Sequence, residues 1–123
     1  MTEPVDRFFE GDRTARRIHD RLYPELTAVD GVEVRVSRSQ VAYRLGRTFA
    51  IEWRPSRSLR SDVPLVLSLP LRERLASPRF KQVVQVAPGS WMHHLELRSP
   101  AEADDEVERW IGLARDQAQD RRR

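Results

Sequence analysis

The sequence predicts an α+β domain: a largely antiparallel sheet of about six strands, with N- and C-terminal helices packed on its apolar face. Three observations lead there. Apolar residues recur at helical spacing near both ends of the chain, and between those ends they alternate with period two. The segments that join the first alternating runs are short enough for hairpin turns, so consecutive antiparallel pairing is the economical arrangement. A chain of 123 residues fits one domain spanning 1–123, because single cores usually form at roughly 100 to 200 residues.

The first helix is expected from about Asp12 to Ala28, where Ala15, Ile18, Leu22 and Leu26 form one apolar stripe. The Asp12 carboxylate can accept from the free amides of the first turn, and Gly31 can take the positive φ that ends the segment. Pro24 lacks the amide an interior position donates, which predicts a kink or restart. Phe8 and Phe9 are expected to fold back onto the core.

Three strands follow, with Val32, Val34 and Val36, then Val41, Tyr43 and Leu45, then Phe49, Ile51 and Trp53 on their buried faces. An arginine-rich segment, Arg54 to Asp62, has no apolar periodicity and reads as an exposed loop. A fourth strand is expected over Val63 to Leu71, with Leu65, Leu67 and Leu69 on one face, then a helical turn over Leu71 to Leu75. "KQVVQVA" and "WMHHLELR" make two more strands around "PGS", a turn with Pro88 and Gly89. In the final helix Ser99 is placed as the cap, Pro100 at the first position and Glu102 as the capping-box partner. Ala103, Val107, Trp110, Ile111, Ala114 and Ala118 then form its apolar stripe, and residues 119–123 read as a disordered basic tail.

Composition narrows the chemistry. The chain has no cysteine, which removes disulfides, thiolate nucleophiles and cysteine-based metal sites. The apolar fraction is 39% and no apolar run approaches a membrane span, so no membrane partner is expected. The N-terminus carries acidic residues and no apolar block, so a cytoplasmic location is the default expectation. The net charge is +3 and the pI about 10.1, but the terminal Arg121–Arg123 run supplies that whole excess. A nucleic-acid role through Arg54, Arg57 and Arg60 is therefore kept as the alternative and not favoured.

No GxSxG, GxGxxG or GxxxxGK motif is present, so nucleophile elbows and phosphate cradles have no sequence support. His93 and His94 are adjacent on a strand and must point to opposite faces, His93 inward with Trp91 and His94 outward with Glu96 and Arg98. They cannot both ligate one ion without a bulge, and His19 on the first helix is the only other histidine; no metal and no cofactor are expected. Alternation places Arg35, Arg44, Glu52, Arg54, His94, Glu96 and Arg98 on the face opposite the core, an arginine-rich set able to receive an anion.

The run "VEVRVSRSQVAYRLGRTFAIEWR", preceded by "FFEG" and a helix, and the later "WMHHLELRSPAEADDEVERWIGLARDQA" resemble domain-of-unknown-function family 5655 over about Phe8 to Ala118. The resemblance implies a short α+β domain, found alone or at the C-terminus of proteins labelled as transport proteins. It implies no catalytic residues. Where relatives are expected to place an alanine-tyrosine pair in the last helix, this chain has Ala114 followed by Arg115. The resulting expectation is a non-enzymatic accessory or binding module for an unknown protein or a small anionic ligand. Its candidate residues are Ser37, Arg38, Tyr43, Arg44, His93 and His94, with the arginines as anion donors and the histidine as a hydrogen-bonding group.

Overall fold

Period-two alternation builds one antiparallel sheet. The computed structural model describes residues 3–55 and 61–120. Strands β1 (Glu33–Val36), β2 (Val41–Leu45), β3 (Arg47–Trp53) and β4 (Leu65–Leu71) pair in succession. The hairpin of β5 (Phe80–Ala87) and β6 (Ser90–Leu97) then joins through β6, giving the order β1-β2-β3-β4-β6-β5 with every pair antiparallel. The chain turns at Gly89, whose φ of 70° is a region that favours glycine. Helices α1 (Glu3–Phe8), α2 (Arg13–Leu26) and α3 (Asp105–Gln119) complete the α+β architecture the sequence predicts.

The core lies between the helices and one face of the sheet. Leu65, Leu67 and Leu69 of β4 meet Leu97, Leu95 and His93 of β6 in register, all at 0–1% exposure. Ile18, Leu22 and Leu26 of α2 and Val107, Ile111 and Ala114 of α3 close over them. Each fully buried large aliphatic side chain contributes about 1.5–3 kcal/mol of transfer free energy, which offsets chain entropy. Two arginines fix the helices in place. Arg54 donates to the carbonyls of Phe8 (2.7 Å) and Glu10 (3.3 Å), and Arg115 reaches the Glu25 carbonyl and, at 2.9 Å, its carboxylate.

Several sequence expectations change. The alternation in β3 inverts, because Tyr43 pairs with Ala50 while Arg44 pairs with Thr48, leaving Phe49 as an extra residue in a β-bulge. Past the bulge, Ala50, Glu52 and Arg54 are buried, while Ile51 and Trp53 take the opposite face and are only half-buried. A one-residue shift exchanges the faces of everything that follows it. No helical turn forms over Leu71 to Leu75; that segment is irregular, and the Leu75 amide binds His93. Pro24 is carried inside the last turn of α2 without ending it, and a six-residue helix, α1, precedes the buried Phe9.

The last helix begins later than its capping-box pattern predicts. Pro100–Glu102 form a 3-10 turn, the Ser99 side chain makes no capping bond, and the Glu102 carboxylate accepts from the Arg98 amide at 2.8 Å. Asp104 is the true cap, accepting from the Val107 amide at 3.2 Å. Its carboxylate also receives Arg79 at 3.0 Å; burial alone would raise its pKa, but that guanidinium and the capping amide hold it below the usual carboxylate value. Asp104→Ala is therefore expected to lower stability by about 1–2 kcal/mol, measured by urea unfolding, whereas Ser99→Ala should change it by less than about 0.5 kcal/mol. Gln119 ends α3 and Asp120 caps it, so these two residues of the expected tail belong to the helix and its cap; Arg121–Arg123 lie outside the described residues.

Candidate functional site

His93 is closed on every side. Alternation aims it at the core, where it is 0% exposed and packs against Phe80 with ring centroids 4.8 Å apart. The Leu75 amide donates to its Nε2 at 3.0 Å, and its Nδ1–H donates to the Trp91 carbonyl at 2.9 Å. A carbonyl can only accept, so the ring is the neutral Nδ1–H tautomer with both nitrogens used. Burial pushes its pKa below the ordinary histidine value. His94 points to the other face, as alternation requires, and its Nδ1 lies 2.7 Å from the Ser68 hydroxyl. Burial, then the neighbouring His93, lowers its pKa as well.

Tyr43 belongs to a separate group. Its hydroxyl donates to Glu52 Oε1 at 2.6 Å, and His19 Nδ1 lies 2.9 and 3.0 Å from the two carboxylate oxygens of Glu52. All three side chains are at most 3% exposed. Burial first, and then the charge of Glu52, drive the Tyr43 pKa upward, which keeps the phenol protonated as the donor. The rings of Phe9 and Tyr23 flank His19 at 4.6 and 5.3 Å. This carboxylate joins α2 to the sheet from inside the core. Sequence alternation missed it because the β3 bulge comes before Glu52.

The remaining sequence-selected residues lie apart from both groups. The Ser37 hydroxyl stays within the β1–β2 turn, binding the amides of Ser39 and Gln40, with exposed Arg38 between them. Arg44 donates to the Gly46 carbonyl at 3.2 Å and pairs loosely with Glu33 at 3.6 Å. The six residues therefore occupy a turn, the core and, for Arg44 on β2 and His94 on β6, the uncovered face at strands that are not neighbours in the sheet. His19 and His93 likewise have separate partners, and no group of three or more potential ligands is arranged to hold a metal ion among the described residues. Arg54 is 8% exposed and bound to α1, so it is not presented as a phosphate contact; Arg57 and Arg60 lie outside the described residues. No helix among the described residues is long and apolar enough to cross a membrane.

The structure instead opens a cleft of about 520 Å³ where the last turns of α3 leave the sheet. The start of β3, the end of β4 and the Ala87–Ser90 turn of the β5–β6 hairpin form its other walls. The buried Phe49, Leu71 and Ala114 give it an apolar interior, and Ala118 adds a second small residue one helical turn after Ala114. Arg47, Thr48, Arg72 and Ser90 bring polar groups to it. Arg47 and Arg72 donate to the Gln117 carbonyl at 3.1 and 3.4 Å, satisfying the negative end of α3. Arg72 also meets Asp120 at 3.2 Å, whereas Arg47 has no carboxylate partner among the described residues. The Arg72 Nε is enclosed and has no hydrogen-bond partner among the described residues. No local pattern in the sequence gathers these residues, since they come from separate strands, a hairpin turn and the last helix.

A six-stranded antiparallel sheet with its helices over one face, a buried His19–Glu52–Tyr43 network and a cleft beside α3 define a small α+β domain. The chain belongs to the domain of unknown function family DUF5655, whose model matches residues 5–118. No curated protein and no solved structure matches it.

Proposed function

We propose that the domain is a non-enzymatic binding module, working in the cytoplasm, that takes a small amphipathic anion into the cleft beside α3. One observation carries this reading: an apolar interior of single-ligand size lies beside Arg47, which has no carboxylate partner among the described residues, and Arg72, whose Nε has no hydrogen-bond partner among them. Ligand sites of about 300–1,000 Å³ typically combine an apolar lining with a few polar groups that fix orientation. A carboxylate fits the polar side, since a guanidinium offers it paired donors, and the hydroxyls of Thr48 and Ser90 can add neutral bonds. The apolar remainder of the ligand would cover Phe49, Leu71 and Ala114. The titratable groups of the core support a binding role over a catalytic one, because both ring nitrogens of His93 are bonded to backbone and the Glu52 carboxylate takes up the Tyr43 hydroxyl and His19 Nδ1.

Titration of the 15N-labelled chain with naphthalene-2-carboxylate and with its neutral amide tests the reading. The carboxylate should shift the amides of Thr48, Leu71, Ser90 and Ala118 in a saturable way, and the amide should bind roughly tenfold more weakly, about 1.4 kcal/mol. Arg47→Gln should weaken the carboxylate three- to tenfold and leave the amide unchanged, and Ala118→Phe should abolish both. Absence of saturable shifts at millimolar carboxylate, or equal affinity for acid and amide, refutes it.

A further inference from the structure

The two edges of the sheet are built differently. β1 is four residues long and carries Glu33 and Arg35, and short charged edges resist pairing with other chains. β5 is eight residues long, its outer side ends the sheet, and its only charge is Lys81. Lys81 is also the only lysine in the chain. Among the described residues three large apolar side chains are exposed, and two of them, Val84 at 36% and Val86 at 55%, lie on this strand. An outermost strand directs alternate amides and carbonyls away from its neighbour, so β5 offers both an unfilled ladder and apolar side chains beside it.

We propose that β5 pairs with β5 of a second copy of this chain, antiparallel about a two-fold axis through Val84. The local sequence "KQVVQVA" suits that symmetry. An axis perpendicular to the sheet keeps each face on its own side, which requires paired residue numbers to have the same parity. Centred on Val84, the register sets Val84 against its own copy, Gln82 against Val86 and Val83 against Gln85. Lys81 falls at the bulge at one end of the regular stretch, so the two lysines stay at opposite ends of the paired segment, roughly 20 Å apart at about 3.3 Å per residue. No like charges meet.

The bulges explain why the assembly stops at two. Register shifts between Phe80 and Gln82 and between Gln85 and Ala87 bend the ends of β5, leaving Gln82–Gln85 as its regular stretch. Pairing uses up that edge in both copies, and what remains outward is the short charged β1 at either end. The result is a closed dimer with a continuous sheet in which Met92, opposite Val84 in the β5–β6 register, extends the apolar contact on the uncovered face. The cleft lies toward the hairpin turn and α3 and meets β5 only at Ala87, at the end of the strand, so the pairing about Val84 does not depend on the ligand reading.

Sedimentation of the full chain across about 1–300 µM should show a concentration-dependent change from 14.4 kDa to twice that mass. Val84→Lys places two like charges on the axis and should leave only monomer, with unchanged circular dichroism; Val86→Lys should weaken the dimer at least tenfold and serves if the first variant misfolds. The chain has no cysteine, so Val84→Cys should yield a disulfide-linked dimer on mild oxidation, while Val36→Cys on the opposite edge should not. A wild-type chain that stays monomeric at 300 µM overturns the proposal. A dimer that survives both lysine variants, or crosslinks equally through Val36→Cys, overturns its placement on β5.

Discussion

Replacing Glu52 with alanine is expected to cost about 3–5 kcal/mol, because it removes one member of a buried polar group and leaves the others enclosed without their partner. Glu52 is 0% exposed, and it alone receives both the Tyr43 hydroxyl and His19 Nδ1. Water cannot reach the orphaned groups without opening the α2–sheet packing. At about 4 °C per kcal/mol for a chain of this size, the melting temperature should fall by about 12–20 °C. Tyr43→Phe removes a donor without creating a cavity and should cost about 1.5–3 kcal/mol, the range for a hydrogen bond to a charged group. Combining the two changes should cost less than their sum by at least about 1 kcal/mol, since they share one interaction. Chemical denaturation of the three variants measures all of this. A Glu52→Ala loss below about 1 kcal/mol, or strict additivity, would show that the group is not coupled.

Acid should unfold the domain earlier than its carboxylates alone require. Both His93 and His94 have pKa values lowered by burial, so below their usual value of about 6.5 the unfolded chain binds protons that the folded chain excludes. Stability is therefore full above about pH 6.5 and declines as the pH falls from there toward the folded values. Each histidine can contribute a slope of at most about 1.4 kcal/mol per pH unit. Asp6, Asp62 and Asp104, whose pKa values are also lowered, add their losses only as the pH passes below the usual aspartate value of about 3.9. Urea unfolding between pH 5 and 7.5 isolates the histidine window. Wild type should weaken steadily across it, and His93→Gln, which retains an acceptor for the Leu75 amide, should flatten the dependence. An unchanged slope in that variant would remove His93 from the account.

How far the sequence could be read is clear from particular residues. His93 and His94 were separable by alternation alone, because "WMHHLELR" runs through β6 without interruption and every residue keeps its face. The same rule failed at Glu52 for a definite reason. One additional residue in β3, Phe49, reverses the faces after it, and nothing local in "GRTFAIEWR" marks where the partner strand skips. A similar limit applies at the start of α3. Ser99, Pro100 and Glu102 satisfy the pattern of a capped helix, yet the turn they begin closes after three residues, and Asp104, also a good cap with Arg79 beside it, starts the helix proper. The cleft was less legible still. Arg47, Arg72, Ser90 and Ala118 come from four segments and share nothing in sequence.

By itself, the sequence determined the α+β class, about six strands with the first three in an antiparallel meander, the two amphipathic helices, the absence of thiol chemistry and the opposite orientations of His93 and His94. Those follow from periodicity and composition, which act over neighbouring residues. Tertiary structure decided that β6 inserts between β4 and β5, that a bulge turns Glu52 inward to meet His19 and Tyr43, and that α3 leaves a cleft at Arg47 and Arg72. Each of these depends on which distant segments share space, and side-chain periodicity carries no information about strand order, register slips or the gap between a helix end and a sheet.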